Sequence, residues 1–181
     1  MGSSYVTLWA KFWIKRIQLA HDKGPLEVIF GGPHISLPSI SHVVPGDRIY
    51  PIFVDRGAIF VIACLNVTEI IEAEHYVYER LGVERREGIG LRRLASAQLG
   101  LGHRLPRTCA DLAAVGTGSE LVWDRSLNPR ELESLRLGPK PGKEMPLKNI
   151  ADGLLKRDNS LRSHVRRVSE ETRGLLERVV G

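Results

Sequence analysis

Residues 45–71 read PGDRIYPIFVDRGAIFVIACLNVTEII, two apolar runs joined by Asp55-Arg56-Gly57. A glycine that accepts positive φ, placed between runs rich in Ile, Val and Phe, predicts a tight β-hairpin. Pro51 lies inside the first run. It has no N–H for a ladder, so that strand is expected at an edge or beside a bulge. Upstream, LEVIF (Leu26 to Phe30) reads as a short strand, and the Gly-, Pro- and Ser-rich residues 31–47 as a long loop.

Before these strands, Thr7 to Asp22 predicts a helix with Thr7 as its cap. Trp9, Phe12, Trp13, Ile17 and Ala20 fall on one apolar face, and Lys11, Lys15, Gln18 and Asp22 on a polar one. Gly24-Pro25 stops it. Downstream, Glu72 to Leu81, Leu91 to Leu99 and CADLAAV after Thr108 read as helices, so 73–118 is expected to be a mostly helical insertion. ELVWD (120–124) predicts a return to strand. Asn128-Pro129-Arg130-Glu131 has cap, N1 proline and capping-box glutamate in the right places for a helix ending near Leu137-Gly138. GPKPGKEMP then reads as a loop, 147–168 as short strands, and Ser169-Glu170-Glu171 as the start of another helix. The expectation is one α+β domain over 1–181. Its β layer is built from about 5–72 and 119–168, and a helix at 169–180 packs outside.

Charge is unevenly distributed. Lys140 to Val168 holds eight basic residues against three acidic ones, so the whole formal excess of +5 falls there. The remainder, 18 basic against 18 acidic, is neutral. Such localisation is the footprint of a phosphate-binding surface. The candidate contacts are Lys140, Lys143, Lys148, Arg157, Arg162, Arg166 and Arg167, expected to gather in one electropositive strip. Lys11, Lys15, Arg16 and Arg56 extend it if the fold brings them round, and Trp13 is the candidate base-stacking ring.

Other classes are not favoured. No apolar run approaches the roughly 18 residues of a membrane span. MGSSYVTLWAKFW lacks a signal peptide's uninterrupted apolar core, so a cytoplasmic protein is expected. Cys64 and Cys109 form no disulfide framework and read as free thiols. His34 and His42 have no carboxylate or cysteine at metal-ligand spacing, so no metal or cofactor is expected. The P-loop, GxSxG, HExxH and dinucleotide fingerprints are missing, and no catalytic residue is assigned. His103 and His164, each near basic residues, are the only histidines that suggest phosphodiester cleavage.

The order of these elements carries a resemblance. A leading helix, a short strand, the Pro-Gly-Asp-Arg lead-in, and a strand and hairpin ending in Val-Thr-Glu-Ile resemble the PUA-like superfamily, nearest its ASCH and EVE branches, over Thr7 to Ile71. The resemblance implies a mixed β pseudo-barrel with flanking helices, RNA or DNA as partner, and a pocket for a flipped or modified base. The ASCH signature Gly-x-Lys-x-x-Glu-x-Arg is not reproduced. Lys23 and Glu27 are four apart, and Ile29 stands where arginine belongs. Non-catalytic nucleic-acid binding is therefore the expected function, with an ASCH-type ribonuclease or a protein-interaction module as alternatives.

Overall fold

The computed structural model describes residues 2–33, 39–91, 93–94, 100–106, 111–158, 161 and 165–181. Its centre is the expected hairpin. β3 (Arg48–Asp55) turns into β4 (Ala58–Val61) through Arg56 at φ 49° and Gly57 at φ 84°. Positive φ at both turn positions matches the right-handed twist of the two strands. Beyond β4, residues 62–64 leave the ladder, and β5 (Leu65–Glu72) rejoins β3. Between the pairs Ile49↔Leu65 and Ile52↔Val61, three steps along β3 face four along its partner. Pro51 sits at that irregularity, where its carbonyl accepts from the Ile62 N–H at 2.9 Å. The bulge is as expected, but the edge is not, because β1 (Ser4–Leu8) pairs in parallel along the other side of β3.

β1 replaces the expected start of the helix. Thr7 is a buried strand residue opposite Pro51, not a cap. SYVTL is buried on both faces, and its pairing with β3 outweighs local helix propensity. Helix α1 begins only at Lys11 and runs to Leu19, behind Ala10, which provides no side-chain cap.

The other strands are β2 (Val28–Gly31), β6 (Leu112–Gly118), β7 (Arg136–Gly138), β8 (Met145–Pro146), β9 (Ile150–Ala151), β10 (Leu154–Leu155) and β11 (Arg166–Val168). Among the described residues the main sheet runs β2-β6-β5-β3-β1-β11-β7-β8, with β4 added on β3 and β9–β10 forming a separate ribbon. It is a mixed sheet whose order does not close on itself, in an α+β architecture.

The expected insertion is helical in part. Helix α2 (His75–Arg80) is wound as a π-helix, and Gly102–Arg104 form a single 3-10 turn. Residues 112–118 are β6, between β2 and β5, rather than part of the expected CADLAAV helix. Ala113 and Ala114 are fully buried, and a Cβ on Gly116 would stand 1.9 Å from the Asn66 carbonyl oxygen. A short run buried on both faces lacks the alternation that separates strand from helix. Residues 120–124 are correspondingly outside any strand. Helix α3 (Pro129–Ser134) has the full Asn128/Glu131 capping box but stops before Leu137, because Leu135 turns to extended backbone and 136–138 pair with β11. Helix α4 (Glu170–Val180) buries Leu175 and Leu176, with Ser169 capping. Residues 95–99 and 108–110, assigned to helices above, lie outside the described residues.

Neighbouring residues of the central strands serve opposite faces. Tyr5, Ile49 and Phe53 pack with Trp9, Trp13, Ile14 and Ile17 beneath α1. Val6, Tyr50 and Ile52 pack with Leu132, Leu175 and Leu176 beneath α3 and α4. Among the described residues no helix is long and apolar enough to cross a membrane.

Candidate nucleic-acid interface

The core side of α1 is Trp13, Ile14 and Ile17, not the face containing Phe12. Trp13 is 7% exposed and packed against the sheet, so it offers no ring to a base. Phe12 is the exposed aromatic, at 66%. With Lys15, Arg16 and Leu19 it follows an i, i+3, i+4, i+7 stripe on the outward side. The Arg16 guanidinium carbon lies 5.5 Å from the Phe12 ring centroid, an arrangement that fixes the ring beside a cation.

The β3–β4 turn adds to this surface. Lys11 is ion-paired with Asp55. The Lys11 hydrogen bond lowers the Asp55 pKa. A burial cost opposes it, and the charges of Lys11, Arg56 and Lys15 lower it further. The charges of all three cations thus act on one carboxylate, and Lys11 alone is in contact with it. The β9–β10 ribbon also reaches the turn: the Leu155 N–H donates to the Gly57 carbonyl at 2.9 Å, and Leu154 packs against Gly57. Lys156 and Arg157 follow directly. Lys156 is paired with Asp152 at 3.1 Å. Lys15, Arg56 and Arg157 are exposed and carry no ion pair among the described residues.

Lys148 adjoins Asn149, whose carbonyl accepts from the Lys156 N–H at 2.8 Å, but the other late cations lie elsewhere. Lys140 and Lys143 are exposed on the turn between β7 and β8, and Lys148 is exposed between β8 and β9. In β11, Arg167 approaches Glu144 at 3.5 Å and donates to Ser3 Oγ at 2.5 Å. Tyr5 pairs with both Arg167 and Ile49, and Arg56 is seven residues farther along β3. At about 3.3 Å per strand residue the two groups are roughly 20 Å apart. The described cations thus form two basic regions instead of one strip. Arg162 lies outside the described residues.

The histidines offer little to a polymer. His103 is 2% exposed. Its Nδ1–H donates to Asp22 Oδ2 at 2.5 Å, and its backbone N–H reaches the same oxygen at 2.6 Å. Burial pushes the Asp22 pKa up, but the hydrogen bonds from the His103 ring and backbone outweigh it and hold the carboxyl at about 2. This pair joins residues far apart in sequence, and no local signal announces it. His34 and His164 lie outside the described residues. Among the described residues no cluster of three or more His, Cys, Asp or Glu could hold a metal ion.

No family model matches the chain, and no curated protein or solved structure matches it.

Proposed function

We propose that the protein binds nucleic acid, RNA or DNA, without cleaving it, through the outward face of α1 and the adjoining β3–β4 turn. One observation carries the reading: Phe12 stands exposed beside Arg16 on the helix face that holds Lys15, and the charges of Lys11, Lys15 and Arg56 all act on Asp55 at the adjoining turn, with Arg157 on the chain that follows β10. An aromatic ring bordered by cations is the chemistry of a single-strand platform, on which a base stacks while the cations meet its phosphates. The proposal includes a PUA-like relationship, supported by the mixed sheet and by the helix between its first two strands. Lys140, Lys143 and Arg167 belong to a second region that a longer strand would reach, while Arg166, paired with Val6, is on the other face of the sheet and Lys148 adjoins Asn149, whose carbonyl accepts from the Lys156 N–H.

Fluorescence anisotropy with labelled single- and double-stranded RNA and DNA tests this. Single strands are expected to bind more tightly. Their affinity is expected to fall with salt at a logarithmic slope of about −0.7 per phosphate neutralised. Lys15→Glu with Arg56→Glu is expected to weaken binding, and gels of the same incubations are expected to show intact strands. Absence of binding by every polymer at about 50 mM salt overturns the reading. In that event a second reading takes over. Leu19, 79% exposed, continues the Phe12 stripe, and the two together suit docking by a protein partner.

A further inference from the structure

The proposed interface carries an acid of its own. Asp55 is the last residue of β3, opposite Ala58 at the head of β4. An aspartate there is ordinary hairpin chemistry. Its partner is not local. Leu8 lies opposite Ile52, and the Trp9 N–H donates to the Ile52 carbonyl at 2.8 Å, so the chain leaves β1 alongside the end of β3. Three residues beyond each member of that pair are Lys11 and Asp55, and the Lys11 ammonium donates to the Asp55 carboxylate across 44 positions of sequence. Both side chains stay open to solvent, Lys11 at 50% and Asp55 at 34%.

This pair stands where a phosphate is expected, and the two demands conflict. A cation joined to a carboxylate has no surplus charge to offer, and the carboxylate repels an approaching phosphate. The Lys11 hydrogen bond holds the Asp55 carboxyl below the usual carboxylate range, against a burial cost, and the charges of Lys11, Arg56 and Lys15 add to it. Asp55 is therefore ionised at neutral pH, and its charge acts in turn on those cations. Exposed ion pairs are weak, because water screens them and two side chains must be held in one geometry. The contact is thus present on the free surface and open to competition by another anion. Asparagine serves a hairpin turn as well as aspartate does. What the acid adds at this position is its charge.

We propose that Asp55 is a built-in competitor of the strand, which withholds Lys11 from phosphate and sets the affinity and salt dependence of the α1 interface; the inference rests on the nucleic-acid reading above. Asp55→Asn keeps the turn and removes the charge, and Asp55→Ser repeats the test should Asp55→Asn not fold. In fluorescence anisotropy with a labelled single strand at about 50 mM salt, Asp55→Asn is expected to bind roughly three- to fivefold more tightly than wild type, the range an exposed ion pair supplies. Its logarithmic salt slope is expected to steepen by about 0.7, one further phosphate neutralised. Adding Lys11→Gln to Asp55→Asn is expected to return the slope to its wild-type value, because Lys11 is the cation released. Glu84→Gln makes the same change in net charge just beyond α2, on the opposite side of the sheet from α1, and is expected to leave affinity and slope unchanged. Equal tightening by Glu84→Gln assigns the gain to net charge and overturns the inference. If wild type binds and Asp55→Asn matches it in affinity and slope, the inference falls and the nucleic-acid reading stands. Weaker binding by Asp55→Asn also overturns it and makes Asp55 a contact to the strand. Binding by Asp55→Asn alone upholds the competitor role, and binding by neither protein overturns both readings.

Discussion

Phe12 and Trp13 are adjacent in sequence and opposite in environment, and they should respond oppositely to truncation. Trp13→Ala empties a core position and is expected to cost about 3–5 kcal/mol in urea unfolding. Phe12→Ala removes an exposed ring, so stability should change by less than about 0.5 kcal/mol. Affinity for a single strand should drop by about 1–3 kcal/mol, the usual worth of a stacked base. The sequence shows that α1 has an apolar side but leaves its centre ambiguous. Both Phe12 and Ile14 neighbour Trp13, and the choice between them decides which aromatic faces outward. Ile14 packs inward because the sheet surface lies on its side of the helix. The charges of Lys15 and Arg56 were legible as exposed cations. Their shared effect on Asp55 was not, since it depends on where β1 sets the helix relative to the turn.

Elements are tied together by contacts that local patterns do not encode. Asp22 anchors the 3-10 turn at Gly102–Arg104 to the connection between α1 and β2. Its pKa in the folded protein, about 2, lies below the ordinary carboxyl value of 3.8. A depressed acid stabilises the fold fully above its unfolded pKa, and that contribution fades as pH falls through the folded value. Asp22→Asn should therefore cost roughly 1–2 kcal/mol near neutral pH, after allowing for solvent screening. The difference from wild type in urea unfolding should close between about pH 5 and pH 2. Gly116→Ala should be more severe, because the new methyl would overlap the Asn66 carbonyl and push β6 from β5. Loss of the cooperative thermal transition, or a large drop in its midpoint, is the expected readout. Elements with their own chemistry were readable: the Arg56-Gly57 turn, the Asn128 capping box, the Ser169 cap. β1 and β6 were not, because each is short, buried on both faces and defined by its partners.

At the scale of the molecule, the sheet interleaves early and late chain. β11 sits between β1 and β7, so residues 166–168 are interior to a sheet begun by residues 4–8. A protein ending at residue 164 would lose β11 and α4 together, exposing Val6, Leu132 and Tyr50. It is expected to show no cooperative urea transition, whereas Lys140→Glu with Lys143→Glu, on an exposed turn, should unfold like wild type. The same interleaving explains why the charged segment was visible and its geometry was not. Composition locates Lys140 to Val168, but the Leu155–Gly57 hydrogen bond brings Arg157 toward the Arg56 turn, and strand pairing sets Arg167 opposite Tyr5.

This order also bears on how the protein is made. The ribosome delivers β1 early and β11 only after most of the chain has followed, an interval of roughly ten to thirty seconds at about 5–20 residues per second. Throughout that time one side of β1 is a bare row of amides and carbonyls, the template on which foreign strands add. Completion of the native sheet is thus a late event in biosynthesis, and the newborn polypeptide is most vulnerable to aggregation just before β11 arrives.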